Sequence, residues 1–171
     1  MISLSRHQAR RRLVTSYLDT EACGRRSHLL AWELAHLLQS RRVSSVELTE
    51  RMLTKIYKHD GTIRSFVRVA DNARATAEEV DKEIKRGMYK GYLHGIPIAI
   101  KDNYLTADMP TRAGTTAPDI SFPLIDAAAV TRLRQSGAVL IGKTNMHEFA
   151  WGNVTPPTRN PWDIERSAKE L

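Results

Sequence analysis

Apolar residues recur at three- and four-residue intervals in the N-terminal half of the chain, a spacing that places them on one face of an α-helix. The first predicted helix covers residues 28–39. A second begins at a capping box, Ser44 followed three residues later by Glu47, and stops near Gly61. A third ends at Gly87. The stripes of the three helices comprise Leu30, Leu34, Leu37 and Leu38, then Leu48, Met52 and Ile56, then Ala73, Ala77, Val80 and Ile84.

Three short runs have the composition of strands, at residues 65–69, 96–101 and 138–141. The connection over 106–123 is rich in Thr, Pro and Gly and predicts a long irregular segment, either ordered and functional or disordered.

A helix is predicted between the second and third strands. Asp126 is its expected N-cap, Val130 and Leu133 face inward, and Gly137 closes it. Strand, helix and strand in this order predict a βαβ unit with parallel pairing, and therefore an α/β fold.

Lys101 ends the second predicted strand, where polar Asp102 and Asn103 begin. Ligands of open α/β sheets gather outside the carboxyl ends of strands. A lysine that is partly withdrawn from water there can supply a neutral amine as a base. The alternative from spacing alone is an ordinary surface lysine just past a strand.

Charge is concentrated at the N-terminus of this 171-residue chain. Of a net charge of +7, residues 1–42 contribute an excess of five positive charges, and the remainder is nearly balanced. Direct nucleic-acid binding is therefore not indicated. Residues 1–27 are predicted to be a basic, poorly ordered leader, either a transit peptide for organelle import or a bland extension. No apolar run is long enough for a membrane span, and a cytoplasmic location is expected.

Metal and disulfide chemistry find little support in the sequence. Cys23 is the single cysteine, so no internal disulfide and no cysteine ligand pair can form. His94 and His147 are too isolated to form a metal pair, and surface or loop positions are expected for both. No cofactor and no metal are predicted. Gly142-Lys143-Thr144 has the ending of a phosphate-binding loop but lacks its leading glycine.

Several blocks in a fixed order resemble the amidase signature family. The resemblance is dense over residues 92–163 and weaker, though compatible, over 29–90. The matching blocks are HGIPIAIKDN (94–103), DAAAV (126–130), RLR (132–134), GAVLIGKTNM (137–146), EFA (148–150) and NPWD (160–163). The resemblance implies N-terminal helices followed by part of a mixed sheet flanked by helices. Residues 28–171 would be an incomplete N-terminal portion of that domain.

The resemblance also implies a mechanism, hydrolysis of carbon–nitrogen amide bonds by a Ser–cis-Ser–Lys triad without a cofactor. Lys101 matches the lysine of the triad. Thr144 and Asn145 match a region that borders the substrate pocket, although helix capping explains Thr144 and Glu148 as well. The substrate would be a small-molecule amide.

Neither serine of the triad can be matched in this sequence. The bridging serine belongs to a Gly-Gly-Ser-Ser-Gly-Gly type loop soon after Asn-Pro-Trp, and the nucleophile to a later Asp-x-Gly-Gly-Ser stretch. Residues 160–171 read NPWDIERSAKEL, and Ser167 has no glycine neighbours. The connection from Gly152 to Arg159 is also shorter than is usual in the family.

Three interpretations follow for the chain as it stands. It is an amidase-family chain that is inactive alone because it retains only the lysine. Alternatively, it resembles part of the glutaminase subunit of a tRNA-dependent amidotransferase, or a non-catalytic assembly fragment. A third interpretation is a fragment that does not fold stably. Open sheet edges predict association with itself or another chain.

Overall fold

The computed structural model describes residues 29–117 and 124–169, which form four α-helices, five strands and one short 3-10 helix. The predicted leader over 1–27 and residues 118–123 of the long connection lie outside the described residues. The elements are α1 (Ala31–Gln39), α2 (Ser45–Ile63), β1 (Phe66–Val69), α3 (Ala73–Lys85), β2 (Pro97–Lys101), α4 (Ala128–Gln135), β3 (Val139–Thr144), the 3-10 helix (Glu148–Ala150), β4 (Val154–Asn160) and β5 (Asp163–Lys169).

The main sheet has three strands in the order β1-β3-β2, so β3 is central. β2 runs parallel to β3, with Lys101 opposite Thr144, and β1 runs antiparallel to β3. Helix α4 connects the two parallel strands, which confirms the predicted βαβ unit. The sheet is mixed, with helices before and between its strands, and the predicted α/β fold class is correct.

Side chains of β3 alternate between two apolar layers, as the pleat of a strand requires. Val139 and Ile141 join the larger cluster, which the first three helices cover. Leu140 joins the smaller cluster with Ile100 of β2 and Val130 of α4. Val130 is fully buried and Leu133 packs against the same cluster, as predicted for the inner face of α4.

The capping box at the start of α2 forms as predicted. The Ser44 hydroxyl accepts a hydrogen bond from the Glu47 amide at 3.0 Å, and the Glu47 carboxylate accepts one from the Ser44 amide at 2.8 Å. Two amide donors that the first turn of a helix leaves unpaired are thereby satisfied.

Replacing Ser44 by alanine is expected to lower the free energy of unfolding by about 1 kcal/mol, because one N-terminal amide of α2 loses its acceptor. Urea denaturation followed by circular dichroism measures this change. Ser40→Ala is the matched control, since that exposed hydroxyl donates only to carbonyl oxygens of α1. An equal effect of the two substitutions would contradict the capping role.

Two helix boundaries differ from the sequence predictions. Helix α1 begins at Ala31 instead of residue 28, and Leu30 is half exposed outside the packed stripe. Helix α2 continues past Gly61 to Ile63, because one glycine costs a helix only about 1 kcal/mol. It stops at Arg64, in the left-handed conformation, where the Asp60 carboxylate accepts hydrogen bonds from the next two amides.

Asp126 is not the N-cap of α4, which was the prediction. The N-cap is Ala127, and no side chain caps this helix. The Asp126 carboxylate instead accepts a hydrogen bond from the Ala107 amide at 2.8 Å and pairs with Arg134 at 3.0 Å. The Asp126 carboxylate therefore binds partners in the long loop and at the far end of α4 and does not cap the first turn.

Strand β3 is longer than predicted and includes the polar Gly142-Lys143-Thr144 segment. Gly142 lies at irregularities in the pairing with both neighbouring strands. A Cβ atom on Gly142 would lie 2.4 Å from the Arg68 carbonyl oxygen, so only glycine fits this close approach. The Gly-Lys-Thr segment is therefore part of a strand and does not form a phosphate-binding loop.

The last two strands form a separate antiparallel hairpin that the sequence did not predict. It follows the 3-10 helix and contains the shortened connection together with the Asn-Pro-Trp segment. Trp162, at its turn, is 91% exposed. In the described part of the chain, no helix combines the length and apolarity that crossing a membrane would require.

Candidate active site

Lys101 is the last residue of β2, as predicted, and lies at the edge of the sheet where β2 and β3 end together. It pairs in register with Thr144, the last residue of β3. The Asp102 amide continues the ladder by donating to the Thr144 carbonyl oxygen at 3.1 Å. The lysine side chain is half-buried. The backbone around it is therefore held on one side by β3, which is buried from Val139 to Lys143 and half-buried at Thr144.

The structure brings Thr144 beside Lys101, while Asn145, the next residue, contacts the β1 side of β3. Both polar side chains have internal partners. Thr144 Oγ1 donates to the Ile100 carbonyl oxygen at 3.4 Å, and Asn145 Nδ2 donates to the Arg64 carbonyl oxygen at 2.7 Å. Thr144 closes the strand, where it was expected just beyond it. Asn145 Oδ1 retains acceptor capacity, so contact with a substrate stays a prediction for both residues.

An open groove of about 520 Å³ lies between β2 and α4, with Lys101 among its lining residues. Its volume is in the range of small-molecule sites, roughly 300–1,000 Å³. Within the described sheet, β2 is an edge strand, so the groove opens beside its free edge. The lining is mainly apolar and consists of Leu93, Ala99, Ile100, Lys101, Tyr104, Ala129, Val130, Arg132, Leu133 and Ser136.

A second lysine, which sequence reasoning missed, is buried next to this edge. Lys143 has no exposed surface, and its ammonium nitrogen lies 3.7 Å from Oδ1 of Asp102, which is also buried. Its other partner is the Thr111 hydroxyl. Burial lowers the pKa of Lys143, and the negative charge of Asp102 opposes that shift. The sequence carried a signal for this burial, because Lys143 comes only two residues after the apolar run over 138–141.

Asp102 also organises the loop that follows Lys101. Its Oδ2 accepts a hydrogen bond from the Arg112 amide, and its carbonyl oxygen accepts one from the Ala113 amide, both at 3.2 Å. The Ala113 carbonyl oxygen in turn accepts from the Phe149 amide at 2.8 Å. The described part of the long connection is thus ordered by polar contacts, although it has no regular secondary structure.

His94 lies in a loop, one of the two predicted alternatives, but it is fully buried and not at the surface. Its Nδ1 accepts a hydrogen bond from the Lys90 amide at 3.1 Å, and its Nε2 lies 2.9 Å from the Glu83 carboxylate. With Nδ1 as an acceptor, Nε2 is the ring nitrogen that donates to the Glu83 carboxylate. The Lys90 hydrogen bond, followed by that of His94, lowers the pKa of Glu83 although partial burial raises it. Among the described residues, no group of three or more His, Cys, Asp or Glu could hold a metal ion.

Comparisons with known proteins place this geometry in a family. The amidase family matches residues 47–168. The chain is 45% identical over 139 residues to a glutamyl-tRNA(Gln) amidotransferase subunit of Mycobacteroides abscessus, covering 78% of this chain and 28% of that protein. It is 43% identical over 136 residues to an amidase of Pseudomonas putida, covering 79% and 29%.

A solved structure gives the same answer for the fold. An amidase crystal structure superposes with a TM-score of 0.72 at 36% identity, covering 81% of this chain and 33% of the other. The chain spans about 30% of the length of the curated relatives it matches. Sequence and fold agree over most of the described residues, and the chain belongs to the amidase family.

Proposed function

We propose that Lys101 is the proton-accepting base of an amide-hydrolysing site. The observation that carries this proposal is the position of Lys101 at the carboxyl end of β2, half-buried beside a groove, inside the segment that matches the amidase family. A lysine amine in such a place can accept a proton when it is held close to a hydroxyl group. The groove offers apolar walls for the acyl side of an amide substrate.

The chemistry that this position supports is acyl transfer to a serine. The amine nitrogen of Lys101 accepts the proton of a bridging serine, which takes the proton of the nucleophilic serine. The nucleophile's oxygen bonds to the amide carbon, and the tetrahedral intermediate then expels the amine, which receives the proton. Backbone amides stabilise the oxyanion, and water releases the acid and regenerates the serine.

Neither serine of that sequence has a counterpart among these 171 residues. Ser167, the serine nearest in position to the expected loop, lies in strand β5 opposite Arg159 and has no glycine neighbours. The members of a catalytic triad act as a unit, and loss of the nucleophile removes the route. The 171-residue chain therefore supplies the base and part of the pocket, while whole-protein hydrolysis needs further residues.

The purified chain is expected to release no ammonia or amine from simple amides above the rate of a Lys101→Ala control. The physical reason is the missing nucleophile and oxyanion site. Ammonia release from primary amides and chromogen release from anilides measure this rate. Turnover that Lys101→Ala abolishes would contradict the expectation, and Ser167→Ala would then test whether Ser167 is the nucleophile.

The second candidate function is that of an amidotransferase subunit, which the similarity to the Mycobacteroides abscessus protein favours. In that case the amide would be that of glutamine, and the ammonia would pass to a partner's site. Comparing glutamine with apolar amides as substrates separates the two candidates. A cytoplasmic location and association through the open edge of β2 belong to the proposal as well.

A further inference from the structure

The polar cluster beneath the Lys101 edge consists of Asp102, Thr111 and Lys143, and we refer to it as the buried triad. Its members are at most 4% exposed. They come from three separate places in the chain, namely the turn after β2, the long loop and strand β3. The Lys143 ammonium contacts the Thr111 hydroxyl and lies 3.7 Å from Asp102 Oδ1.

The side chains of the buried triad connect backbone segments. Asp102 Oδ2 accepts from the Arg112 amide, and the Thr111 hydroxyl donates to the Tyr104 carbonyl oxygen at 3.3 Å. Asp102 Oδ1 has no hydrogen-bond partner of normal geometry within the described residues, so the charge of Lys143 is its main compensation. The folded state is strongly destabilised when a buried carboxylate loses such a counter-charge.

We propose that the buried triad positions the site, with Lys143 and Asp102 as positioning residues. Asp102 is bonded directly to Lys101 along the chain, and its side chain is fixed by Lys143 from the neighbouring strand. The same pair holds the loop from Tyr104 to Ala113 through hydrogen bonds to Thr111, Arg112 and Ala113. Lys101 is thus held at the groove by Lys143, which is fully buried and cannot contact a substrate.

The positioning role rests on the proposed function only in taking Lys101 as the base. Loss of order around Lys101 is measured without turnover, so failure of the positioning role and failure of the amidase role can be distinguished. The substitutions are Lys143→Met, which leaves Asp102 buried without a counter-charge, and Thr111→Val, which removes one hydroxyl and nearly keeps the side-chain shape. Val80→Ala on α3, in the larger apolar cluster, is the control for general destabilisation, since Val80 is not a member of the buried triad.

The first readout is trypsin cleavage after Arg112, whose side chain is exposed within the loop. Lys143→Met is expected to increase this cleavage about tenfold or more over the control, because local opening exposes the loop before the whole chain unfolds. Denaturant midpoints of the variants are used to correct for global unfolding. Thr111→Val is expected to act in the same direction with a smaller effect, and it serves if Lys143→Met does not fold.

The second readout is a spectroscopic signal from Lys101 itself. After reductive methylation with ¹³C-formaldehyde, the methyl signal assigned by Lys101→Arg is expected to shift in Lys143→Met and Thr111→Val but to stay in place in Val80→Ala. The double substitution Asp102→Asn with Lys143→Met removes both charges and is expected to recover part of the protection at Arg112. Cleavage and Lys101 signals that change no more than in Val80→Ala would overturn the positioning role.

Discussion

Replacing Gly137 by alanine is expected to destabilise the fold by at least about 3 kcal/mol, far more than the same change at another helix-terminating glycine. Gly137 follows α4 with a φ of +77°, and a Cβ atom there would lie 2.1 Å from Cδ2 of His94. His94 cannot move aside, because it is fully buried and held by the Lys90 amide and the Glu83 carboxylate. The substitution thus combines backbone strain with a clash in the core.

Gly87 provides a matched control for the backbone term. It follows α3 with a φ of +82°, and nothing lies within 4 Å of the position that a Cβ atom would take. Gly87→Ala should therefore cost only the left-handed strain, about 1–2 kcal/mol. Urea denaturation of both variants measures the difference.

The clash itself can be tested in a second background. In a His94→Ala protein, the space beside Gly137 is open, so the additional cost of Gly137→Ala should fall to that of Gly87→Ala. Equal costs at both glycines in the wild-type background would show that His94 does not constrain the turn before β3.

Local signals in the sequence were sufficient for most of the helices and for the βαβ unit. The capping box of Ser44 and Glu47 and the apolar stripe of α3 depend on residues three and four apart, which are neighbours in any helix. The position of Lys101 followed from the end of an apolar run. These features could be predicted because each one is determined by residues that are close to it in the sequence.

Features that depend on distant partners were missed. Lys143 was not recognised as buried, because its partners Asp102 and Thr111 lie more than thirty residues earlier. His94 was expected in a surface or loop position, and its burial was missed because it depends on Glu83 and on the turn at Gly137. The β4–β5 hairpin was missed because β4 contains two prolines, which lower the expectation of a strand. In each case tertiary contact overrides the local pattern.

The role of Lys101 can be measured in a chimera that supplies the two serines required by the proposed mechanism. Residues 47–168 of this chain, the span that matches the amidase family, would replace the corresponding residues of the Pseudomonas putida amidase, which is 43% identical over 136 residues. In such a protein the pocket edge, the buried triad and Lys101 come from this chain, and the serine-bearing part comes from the relative. A Lys101→Met chimera then lacks only the amine that is proposed to accept the proton.

Lys90→Met is the matched control, because Lys90 also interacts through its ammonium group, pairing with Glu83 at 2.7 Å on the surface away from the ends of β2 and β3. Its loss should change kcat/KM by no more than about twofold, because Lys90 does not line the groove and one exposed ion pair contributes too little to stability, about 1 kcal/mol or less, to unfold the chimera. Melting temperatures of the three chimeras establish that all of them are folded at the assay temperature.

The decisive quantity is kcat/KM for amide hydrolysis by the chimera with and without Lys101. We expect an active chimera, a Lys101→Met variant weaker by roughly a thousandfold, within the range that general-base catalysis contributes, and a Lys90→Met variant close to the parent. A folded chimera without activity, or a Lys101→Met chimera that keeps the activity of its parent, would contradict the assignment of Lys101 as the base.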